Sequence, residues 1–539
     1  MNFDPHYHPY PAYRAPAYAN RGMVATSQPL AAQAGLDILK RGGNAIDAAI
    51  ATAAALTVVE PCSNGIGGDA FAIVWSDGNL YGLNASGPAP RDISIDKVKE
   101  AGHERMPTYG PLTVTVPGAP AAWAELLSRF GRLSLEDVLA PAIGYAEEGF
   151  PVSPTAALHW GRACELYNTA FKDEMYAAWF DTFAPSGGRA PRAGELWRSP
   201  DHARTLRQIA SSGSKEFYCG ELAGRIANFV RGNGGYLSTE DLAAFAPEWV
   251  QPIQVSYRGY EIWELPPNGQ GLVALLALNI LKGFEGLGSG EVDTYHKQIE
   301  ALKLAFADGK HCITDPSHMR ANMETLLSDR YAVERRALIG KEAGLPETGE
   351  PARGGTVYLA AADGEGNMVS FIQSNFMQFG SGLVVPGTGI ALQNRGCGFS
   401  LDPAAANRLE PGKRTYHTII PGFVTRGGGR EAIGPFGVMG GLMQPQGHVQ
   451  AIMNLINFDL HPQAALDAPR WQWIGGKNVV VEPGFPPSAA QALARLGHDV
   501  RFALDSGSFG RGQIVWRNPE SGVLCGGTDS RTDGIVATW

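Results

Sequence analysis

A threonine that follows two glycines has the residue types needed for a self-generated nucleophile. The stretch GGTVYLAAADGEGN, residues 354–367, places Thr356 after Gly355 and before an apolar run. A threonine hydroxyl needs an adjacent base, and the α-amine of a chain that begins with threonine supplies one, because its pKa of about 8 suits proton transfer at neutral pH. That amine exists only after the Gly355–Thr356 bond is cut. The Thr356 hydroxyl can make this cut by attacking the Gly355 carbonyl, which yields an ester that water cleaves.

A second hydroxyl is predicted to face this threonine. The apolar runs TVYLAAAD and NMVSFIQSN flank a Gly-Glu-Gly turn, a pattern typical of a β-hairpin. If Asp363 pairs with Asn367, Thr356 lies opposite Ser374, and directly opposed Cβ atoms are about 4.5–5.5 Å apart. A β-bulge would shift the partner to Asn375. Without further signals, a simple strand start after glycine is the commoner meaning of such a sequence.

Two other kinds of site are disfavoured. The glycine-rich stretch NGIGGD at 64–69 follows a predicted helix and precedes a predicted strand, the reverse of the order in a dinucleotide-binding loop, so a tight bend is expected. His417 and His448 are isolated in sequence, and no histidine or cysteine pair has metal-ligand spacing. We therefore expect neither a cofactor nor a metal.

Length and composition describe an ordinary globular enzyme-sized chain. Its 539 residues exceed the usual single core, so one large domain or two closely packed domains are expected. A net charge of −9 argues against nucleic acid or an anionic membrane as the partner. Neither a signal peptide nor a membrane span is recognisable, and the six cysteines contain no C-x-x-C pair. These features indicate a cytoplasmic, reduced protein.

Predicted elements place the Thr356 hairpin inside a mixed fold. Residues 29–59 read as two helices broken at 41–43, with Asn44 as the N-cap of the second. A strand follows the glycine bend, helices dominate 118–149 and 197–250, a hairpin spans 250–267, and the chain is β-rich after 354. Strands at both ends with helices between them predict an α+β fold, or a layered αββα body closed by its two ends.

Nine separate motifs then occur in an order that resembles one known family. The sequence is similar to the γ-glutamyltransferase family of N-terminal nucleophile hydrolases from about residue 22 to the C-terminus. The motifs are GGNAIDAAIATAAALTVVEP (42–61), GIGGDAF (65–71), VPGAPAAW (116–123), GGYLSTEDLA (234–243), LPPNGQG (265–271), LAFADGK (304–310), the Thr356 hairpin, FGSGLVVPGTGIALQN (379–394) and FGVMGGLMQPQGHVQ (436–450).

The resemblance implies a precursor that cuts itself into two chains that stay folded together. On this sequence the large subunit would be 22–355 and the small subunit 356–539, after a flexible tail at 1–21. The implied fold has four αββα layers and is built from the two intertwined subunits. A dimer of such heterodimers is one assembly that the resemblance allows.

The same resemblance implies roles for individual residues. Thr356 matches the nucleophile, and Ser374 stands where the family has a second threonine that hydrogen-bonds the nucleophile. Gly440 and Gly441 match the glycine pair whose N–H groups form the oxyanion hole. Asn375, next to Ser374, is a further candidate for contact with the substrate.

Departures from the family pattern concern recognition of the glutamyl group. Asn84 stands where γ-glutamyl enzymes carry an arginine for the substrate α-carboxylate, and Gly398 stands where they carry an aspartate for the α-amine. His417 and Thr418 replace two serines that hold the carboxylate. Arg395 occupies a position that is usually uncharged in the family. It could hold a substrate carboxylate or serve in a structural ion pair.

These departures resemble a branch that includes oxamate amidohydrolases and cephalosporin-acylase-like members. The expected function is self-processing hydrolysis of a small carboxylate-bearing amide, either oxamate-like or glutaryl-type, through an acyl-enzyme. A γ-glutamyl hydrolase or transferase is the alternative, and an unprocessed, non-catalytic homologue is a third reading. The expected partner is a small-molecule amide, with no nucleic acid and no membrane.

Overall fold

The computed structural model describes residues 14–345 and 355–539, and within them the strands form two large antiparallel sheets and two small ones. The strands are β1 (Ala17–Ala19), β2 (Gly22–Thr26), β3 (Asp69–Ser76), β4 (Asn79–Ala85), β5 (Phe150–Pro151), β6 (Leu196–Trp197), β7 (Glu248–Val250), β8 (Ile253–Tyr257), β9 (Tyr260–Glu264), β10 (Gly355–Asp363), β11 (Met368–Phe376), β12 (Gly422–Arg426), β13 (Glu431–Met439), β14 (Trp471–Gly475), β15 (Asn478–Val481), β16 (Asp499–Phe502), β17 (Arg511–Arg517), β18 (Leu524–Thr528) and β19 (Ile535–Thr538).

The described chain also contains 18 α-helices, several of which cover the outer faces of the large sheets. They are α1 (Pro29–Lys40), α2 (Ala45–Val59), α3 (Ile95–Glu100), α4 (Ala119–Phe130), α5 (Leu135–Glu148), α6 (Pro154–Ala170), α7 (Ala177–Phe183), α8 (Pro200–Ser212), α9 (Lys215–Cys219), α10 (Glu221–Gly232), α11 (Thr239–Ala243), α12 (Gly271–Leu281), α13 (Val292–Cys312), α14 (Met323–Leu326), α15 (Asp329–Arg336), α16 (Met443–Ile456), α17 (Pro462–Asp467) and α18 (Pro487–Arg495).

Each large sheet has seven strands drawn from both ends of the chain. The first has the order β19-β2-β10-β11-β3-β4-β7, and the second has the order β1-β18-β17-β13-β12-β9-β8. Segments before and after the Gly355–Thr356 bond therefore both contribute strands to each of the two sheets. Cutting that bond would leave two chains held together by strand pairing and by a shared core.

Three apolar cores define four layers. Between the sheets, Phe71, Tyr358 and Ile372 of the first pack with Phe423 and Val515 of the second. The opposite face of the first sheet packs against helices that include α1, α2, α4 and α5. The opposite face of the second packs against α12, α13, α16, α17 and α18. The predicted α+β fold with αββα layers is confirmed.

Helix α2 shows why the early alanine-rich stretch has that composition. Every residue of α2 is buried, and small side chains allow the helix to lie close to its neighbours on all sides. Asn44 caps it as predicted, in a capping box with Asp47. Asp363, at the end of β10, accepts a hydrogen bond from the N–H of Ala45. The start of α2 is thereby tied to the turn of the Thr356 hairpin.

The β10–β11 hairpin follows the predicted register over most of its length. Val357 pairs with Gln373, and Asp363 donates its N–H to the carbonyl of Asn367. The ladder is irregular at its open end, where Gly355 lies opposite Phe376. The irregularity removes Thr356 from regular pairing and leaves its side chain free to be directed by hydrogen bonds.

The N-terminal segment differs from its predicted description. Residues 1–13 of the expected tail lie outside the described residues. Ala17–Ala19, however, form β1, whose backbone pairs with β18 at the edge of the second sheet. The expectation of a tail is wrong for these residues, because an open sheet edge offered them hydrogen-bond partners. None of the described helices is long and apolar enough to cross a membrane.

A glycine substitution tests the inter-sheet packing. A Cβ at Gly437 on β13 would lie 2.5 Å from the ring of Tyr358, which is buried and whose hydroxyl contacts Ser370. We expect Gly437→Ala to lower the free energy of unfolding by about 1–3 kcal/mol through overpacking. Gly144→Ala is the matched control, since no atom would crowd its Cβ in α5 and alanine favours helix. Thermal melts should show a lower Tm only for the first variant; equal melts would contradict this packing.

Candidate active site

Three oxygen atoms meet where β10 begins. The Thr356 hydroxyl lies 2.8 Å from the carbonyl oxygen of Gly355 and 3.2 Å from the Ser374 hydroxyl, which itself donates to the Gly355 carbonyl at 2.7 Å. Thr356 and Ser374 are both buried. The Thr356 hydroxyl is within donating distance of both the Gly355 carbonyl oxygen and the Ser374 hydroxyl. The hydroxyl contact predicted from the hairpin register is thus present despite the irregular pairing.

The surroundings of the Gly355–Thr356 bond are tight. A Cβ at Gly355 would lie 3.0 Å from the backbone nitrogen of Gln378, a spacing tighter than nearly all real Cβ contacts. Phe376 and Gln378 both have positive φ angles, 77° and 49°, and the N–H of Phe376 donates to the Ser374 hydroxyl at 2.8 Å. Strained backbone of this kind clusters at functional sites. Here the turn at Phe376 places its N–H within hydrogen-bond distance of the Ser374 hydroxyl.

Arg395 brings a buried positive charge to the same point. Its Nη1 donates to Thr418 at 2.8 Å, its Nη2 lies 3.5 Å from the Ser374 hydroxyl, and its guanidinium stands 4.0 Å above the ring of Phe376. The side chain is 1% exposed, Nε has no hydrogen-bond partner, and no carboxylate of the described chain forms an ion pair with it. Burial lowers the pKa of Arg395 to about 10, so it stays charged at neutral pH.

Asp69 is the carboxylate whose charge acts on Arg395, and it is hydrogen-bonded to His417. The Nε2 of His417 donates to Asp69 at 3.0 Å, while its Nδ1 faces the N–H of Ile419, so the neutral tautomer fits both contacts. Burial and Arg395 together hold the pKa of His417 well below its usual value. Asp69 also accepts hydrogen bonds from Gln393 and from the N–H of Gly87. Burial raises the pKa of Asp69 to about 7, with Arg395 acting in the opposite direction.

Gln270 connects the Gly440–Gly441 pair to the residues around Arg395. Gly440 and Gly441 have φ angles of 135° and 59°, which favour glycine, and they join β13 to the start of α16. Gln270 donates to the carbonyls of both Gly441 and Thr418. Neither glycine N–H has an acceptor among the described residues, and both lie at the positive end of a helix dipole. Such N–H groups can stabilise a developing oxyanion.

A large cavity opens beside these residues. It has a volume of about 1040 Å³, and Phe376, Thr418 and Leu442 form part of its wall. Because Thr418 and Phe376 also contact Arg395, the cavity and the buried guanidinium share these two side chains. We call this space the outer cavity.

Comparison with known proteins assigns the family. The family model described as gamma-glutamyltranspeptidase matches residues 31–539. The chain belongs to the gamma-glutamyltranspeptidase family. The predicted relationship to the γ-glutamyltransferases is therefore confirmed, and the chain is an enzyme that acts on amides.

Relatives include proteins of several specificities. The chain is 38% identical over 525 residues to the glutathione hydrolase-like YwrD proenzyme of Bacillus subtilis, with 95% of this chain and 98% of the relative covered. It is 36% identical over 533 residues to the oxamate amidohydrolase proenzyme of Klebsiella pneumoniae, covering 96% and 98%. A crystal structure of a cephalosporin acylase from Bacillus halodurans matches with 64% identity and a TM-score of 0.95, covering 100% and 99%.

Not every residue proposed from the family pattern meets Thr356. Asn84 donates to Asn268 and accepts from Ser86, and within the described chain its hydrogen bonds reach neither Thr356 nor Arg395. Its amide supports the loop that carries His417, since Asn268 donates to Thr415 and accepts from the His417 N–H. Asn84 is thus linked through Asn268 to the loop of His417, and its predicted contact with substrate stays a prediction.

Asn375 is buried against the glycine bend. Among the described residues, neither polar atom of its side-chain amide has a hydrogen-bond partner, and a Cβ at Gly65 or Gly68 would lie within 2.8 Å of that amide. The glycines of the 64–69 stretch thus permit close approach to β11, and the bend sits between α2 and β3 as predicted. Gly398 ends a short helical turn that begins at Arg395 and lies on the wall of the outer cavity.

Two polar residues of the site had no role in the sequence interpretation. Asp69 lies in the GIGGDAF motif and Gln270 in LPPNGQG, but neither motif by itself indicates what these two side chains contact. A charged residue directly after a glycine bend, and a glutamine between two glycines before an apolar helix, were the available signals. Their partners, His417 and Gly441, are far away in sequence, which is why spacing alone did not connect them.

The raised pKa of Asp69 predicts a change of stability with pH. Because this pKa is about 7 in the folded chain against an ordinary 3.8, the folded chain keeps a proton that the unfolded chain has lost. The stabilising contribution of the protonated group is complete below about pH 4 and is lost as the pH rises through about 7. Relative to Asp69→Asn, the parent should therefore lose Tm between pH 5 and pH 8. A Tm difference that stays constant across this range would contradict the assignment.

Proposed function

We propose that this enzyme cuts its own chain before Thr356 and then uses Thr356 to hydrolyse a small carboxylate-bearing amide. The observation that carries the proposal is the contact of the Thr356 hydroxyl with the Gly355 carbonyl, 2.8 Å from oxygen to oxygen, with Ser374 donating to the same carbonyl. This arrangement combines an attacking oxygen with a donor for the charge that the attack creates.

Self-cleavage begins with attack of the Thr356 oxygen on the Gly355 carbonyl carbon. The hydroxyl proton passes to the departing amide nitrogen, the C–N bond breaks, and the acyl group of residue 355 becomes an ester on Thr356. Water then adds to this ester, which releases the Gly355 carboxylate and restores the hydroxyl. The negative charge on the carbonyl oxygen is stabilised by the Ser374 O–H, whose oxygen is in turn held by the Phe376 N–H.

The products would be a large chain that ends at Gly355 and a small chain of 184 residues, 356–539. Strand order supports their continued association, because both segments contribute strands to both large sheets. The relatives from Bacillus subtilis and Klebsiella pneumoniae are both named as proenzymes, which agrees with a processed chain.

After cleavage the new α-amine of Thr356 acts as the base for substrate hydrolysis. It accepts the hydroxyl proton as the oxygen attacks the substrate amide, and it passes that proton to the leaving amine. The tetrahedral oxyanion is stabilised by the free N–H groups of Gly440 and Gly441 at the start of α16. Water then hydrolyses the acyl-threonine ester by the same route.

Arg395 selects the acyl group. Its guanidinium is buried, charged and without a carboxylate partner among the described residues, so an incoming carboxylate would complete its hydrogen bonds. A γ-glutamyl substrate also carries an ammonium group, which needs an acidic partner. Of the described residues that line the outer cavity, only Asp308 is acidic, and Arg335 already binds it at 2.9 Å. Asp69, whose charge acts on Arg395, is already hydrogen-bonded to His417. These charges favour a substrate that lacks the amine, such as an oxamate-like or glutaryl-type amide.

Substitution of the nucleophile gives the first functional test. Thr356→Ala should remain one chain of 57.4 kDa on a denaturing gel and should hydrolyse no amide, because both reactions use the same oxygen. Thr356→Ser retains a hydroxyl and should be cut, more slowly or at an equal rate. An alanine variant that is cut or active would refute the role of Thr356.

Removal of the buried charge gives the second test. Arg395→Gln should lower kcat/KM for a glutaryl amide by about 10- to 100-fold, since a hydrogen bond to a charged group contributes about 1.5–3 kcal/mol. The methyl ester of the same substrate, which lacks the carboxylate, should react equally with parent and variant. Self-cleavage and Tm of the variant serve as folding controls. Equal losses for acid and ester would mean that Arg395 acts on Ser374 alone.

Two assays separate the proposed function from the family's γ-glutamyl activity. The enzyme should release ammonia from oxamate, or amine from a glutaryl amide, faster than it releases nitroaniline from a γ-glutamyl anilide. The reverse order of rates would favour γ-glutamyl hydrolysis or transfer. A correctly cut protein that acts on none of these substrates would exclude both.

A further inference from the structure

Two histidines and a glutamate form a second buried cluster of polar side chains. His296 and Glu300 lie on α13, and His498 directly precedes β16. Each of the three is no more than 4% exposed. The Nδ1 of His296 lies 2.9 Å from the Nε2 of His498, which in turn lies 3.9 Å from Oε1 of Glu300. Two imidazole rings and a carboxylate are a known ligand set of protein-bound Zn²⁺.

The separations between these atoms fit a single metal ion. One ligand atom from each side chain lies within 4.8 Å of the other two. Three atoms at these separations surround a point that is about 2.0–2.4 Å from each of them, and Zn–N and Zn–O bonds are about 2.0–2.2 Å long. His296 and Glu300 are four residues apart, so α13 directs both side chains toward the same side. Small side-chain shifts would complete the coordination.

Backbone groups hold the ligands in the orientation that an ion requires. The Nε2 of His296 donates to the carbonyl of Gly340 at 3.0 Å, which leaves the lone pair of Nδ1 facing His498. The second carboxylate oxygen of Glu300 accepts a hydrogen bond from the N–H of Gly344 at 3.1 Å. Metal ligands in proteins are oriented by hydrogen bonds of this kind.

The histidine pair already binds a proton where the ion would lie. Because the Nε2 of His296 donates to a carbonyl, its Nδ1 accepts, and the Nε2 of His498 is the donor between the two rings. An ion would replace this proton, which would move to the Nδ1 of His498. That atom has no hydrogen-bond partner among the described residues. Metal binding is therefore an exchange of one bridging cation for another at the same two nitrogen atoms.

Lys303 is the competing positive charge. Its buried Nζ donates to Oε1 of Glu300 at 2.7 Å and to the carbonyl of Gly344 at 3.1 Å. Lys477 adds positive charge near His498. A ligating carboxylate can accept a hydrogen bond from lysine, but the ammonium repels a second cation. Removal of the Lys303 charge should therefore strengthen metal binding.

We propose that His296, Glu300 and His498 bind one Zn²⁺ ion, with the fourth tetrahedral position left to a water molecule. His296 and Glu300 precede the Gly355–Thr356 bond and His498 follows it, so the ion would join the two chains that self-cleavage produces. This joining role rests on the proposed function, whereas binding of the ion does not. His498 lies 202 positions from His296, which is why the sequence interpretation expected no metal.

Metal binding is measured on tag-free protein that has been stripped of metal with a chelator. Co²⁺ takes the same ligands as Zn²⁺ and absorbs visible light strongly when it is four-coordinate. We expect this absorption to saturate at one equivalent and to disappear when Zn²⁺ is added. Zn²⁺ at a hundredfold excess over its Kd should raise Tm by about 2–3 °C, because an ion that binds only the folded chain stabilises it. Absence of both signals in the parent would overturn the inference.

Variants assign the ion to this cluster. His296→Gln and His498→Gln each remove a ligand and should weaken Zn²⁺ binding by about 100-fold or more. His103→Gln, at a histidine outside the cluster, is the matched control and should bind as the parent does. Lys303→Met should bind Zn²⁺ about tenfold more tightly. Melts in chelator report whether each variant folds. Equal affinities in all four variants would mean adventitious binding elsewhere and would overturn the inference.

Chain association separates this inference from the proposed cleavage. In cut protein, Zn²⁺ should raise the urea concentration at which the two chains separate, and His498→Gln should lose this effect. Uncut protein that shows the Co²⁺ absorption, with its loss in the two histidine variants, would contradict the proposed function and support the metal site. Cut and active protein that binds neither Co²⁺ nor Zn²⁺ would support the proposed function and overturn the metal site.

Discussion

The buried guanidinium of Arg395 sets the electrostatics of the whole site. A charge that is removed from water is costly unless other groups solvate it, and here Thr418, Ser374 and the face of Phe376 do so only in part. Its field holds the pKa of His417 down and opposes the effect of burial on Asp69. The polar groups nearby are arranged so that a positive charge persists next to the Thr356–Gly355 bond.

The two-sheet architecture is what holds these groups together. Ser374 and Thr356 come from neighbouring strands of the first sheet, whereas Gly440 and Gly441 follow a strand of the second. Gln270 connects the two by donating to Thr418 and to Gly441. A continuous line of contacts therefore runs from Thr356 through Ser374, Arg395, Thr418 and Gln270 to Gly441. The packing of Tyr358 against β13 fixes the distance between the sheets close to this line.

Local sequence patterns predicted a good part of this arrangement. The Asn44 cap, the hairpin at 363–367 and the contact between Thr356 and Ser374 all depend on residues close in sequence, where periodicity and turn chemistry are informative. Nine ordered motifs predicted the family. The pairing of Asp69 with His417 joins residues 348 positions apart, so neither pattern nor spacing could reveal it. The pairing of β1 with β18 and the outer cavity likewise arise only from the assembled fold.

The central claim is that Thr356 becomes a chain N-terminus and carries the acyl group. Intact-mass spectrometry of the purified protein, before and after acid quenching during turnover of a glutaryl amide, tests it most directly. The account predicts two chains whose masses match 1–355 and 356–539, with the glutaryl adduct on the N-terminal residue of the shorter chain. A single uncut chain, a cut at another bond, or an adduct on a different residue would contradict it.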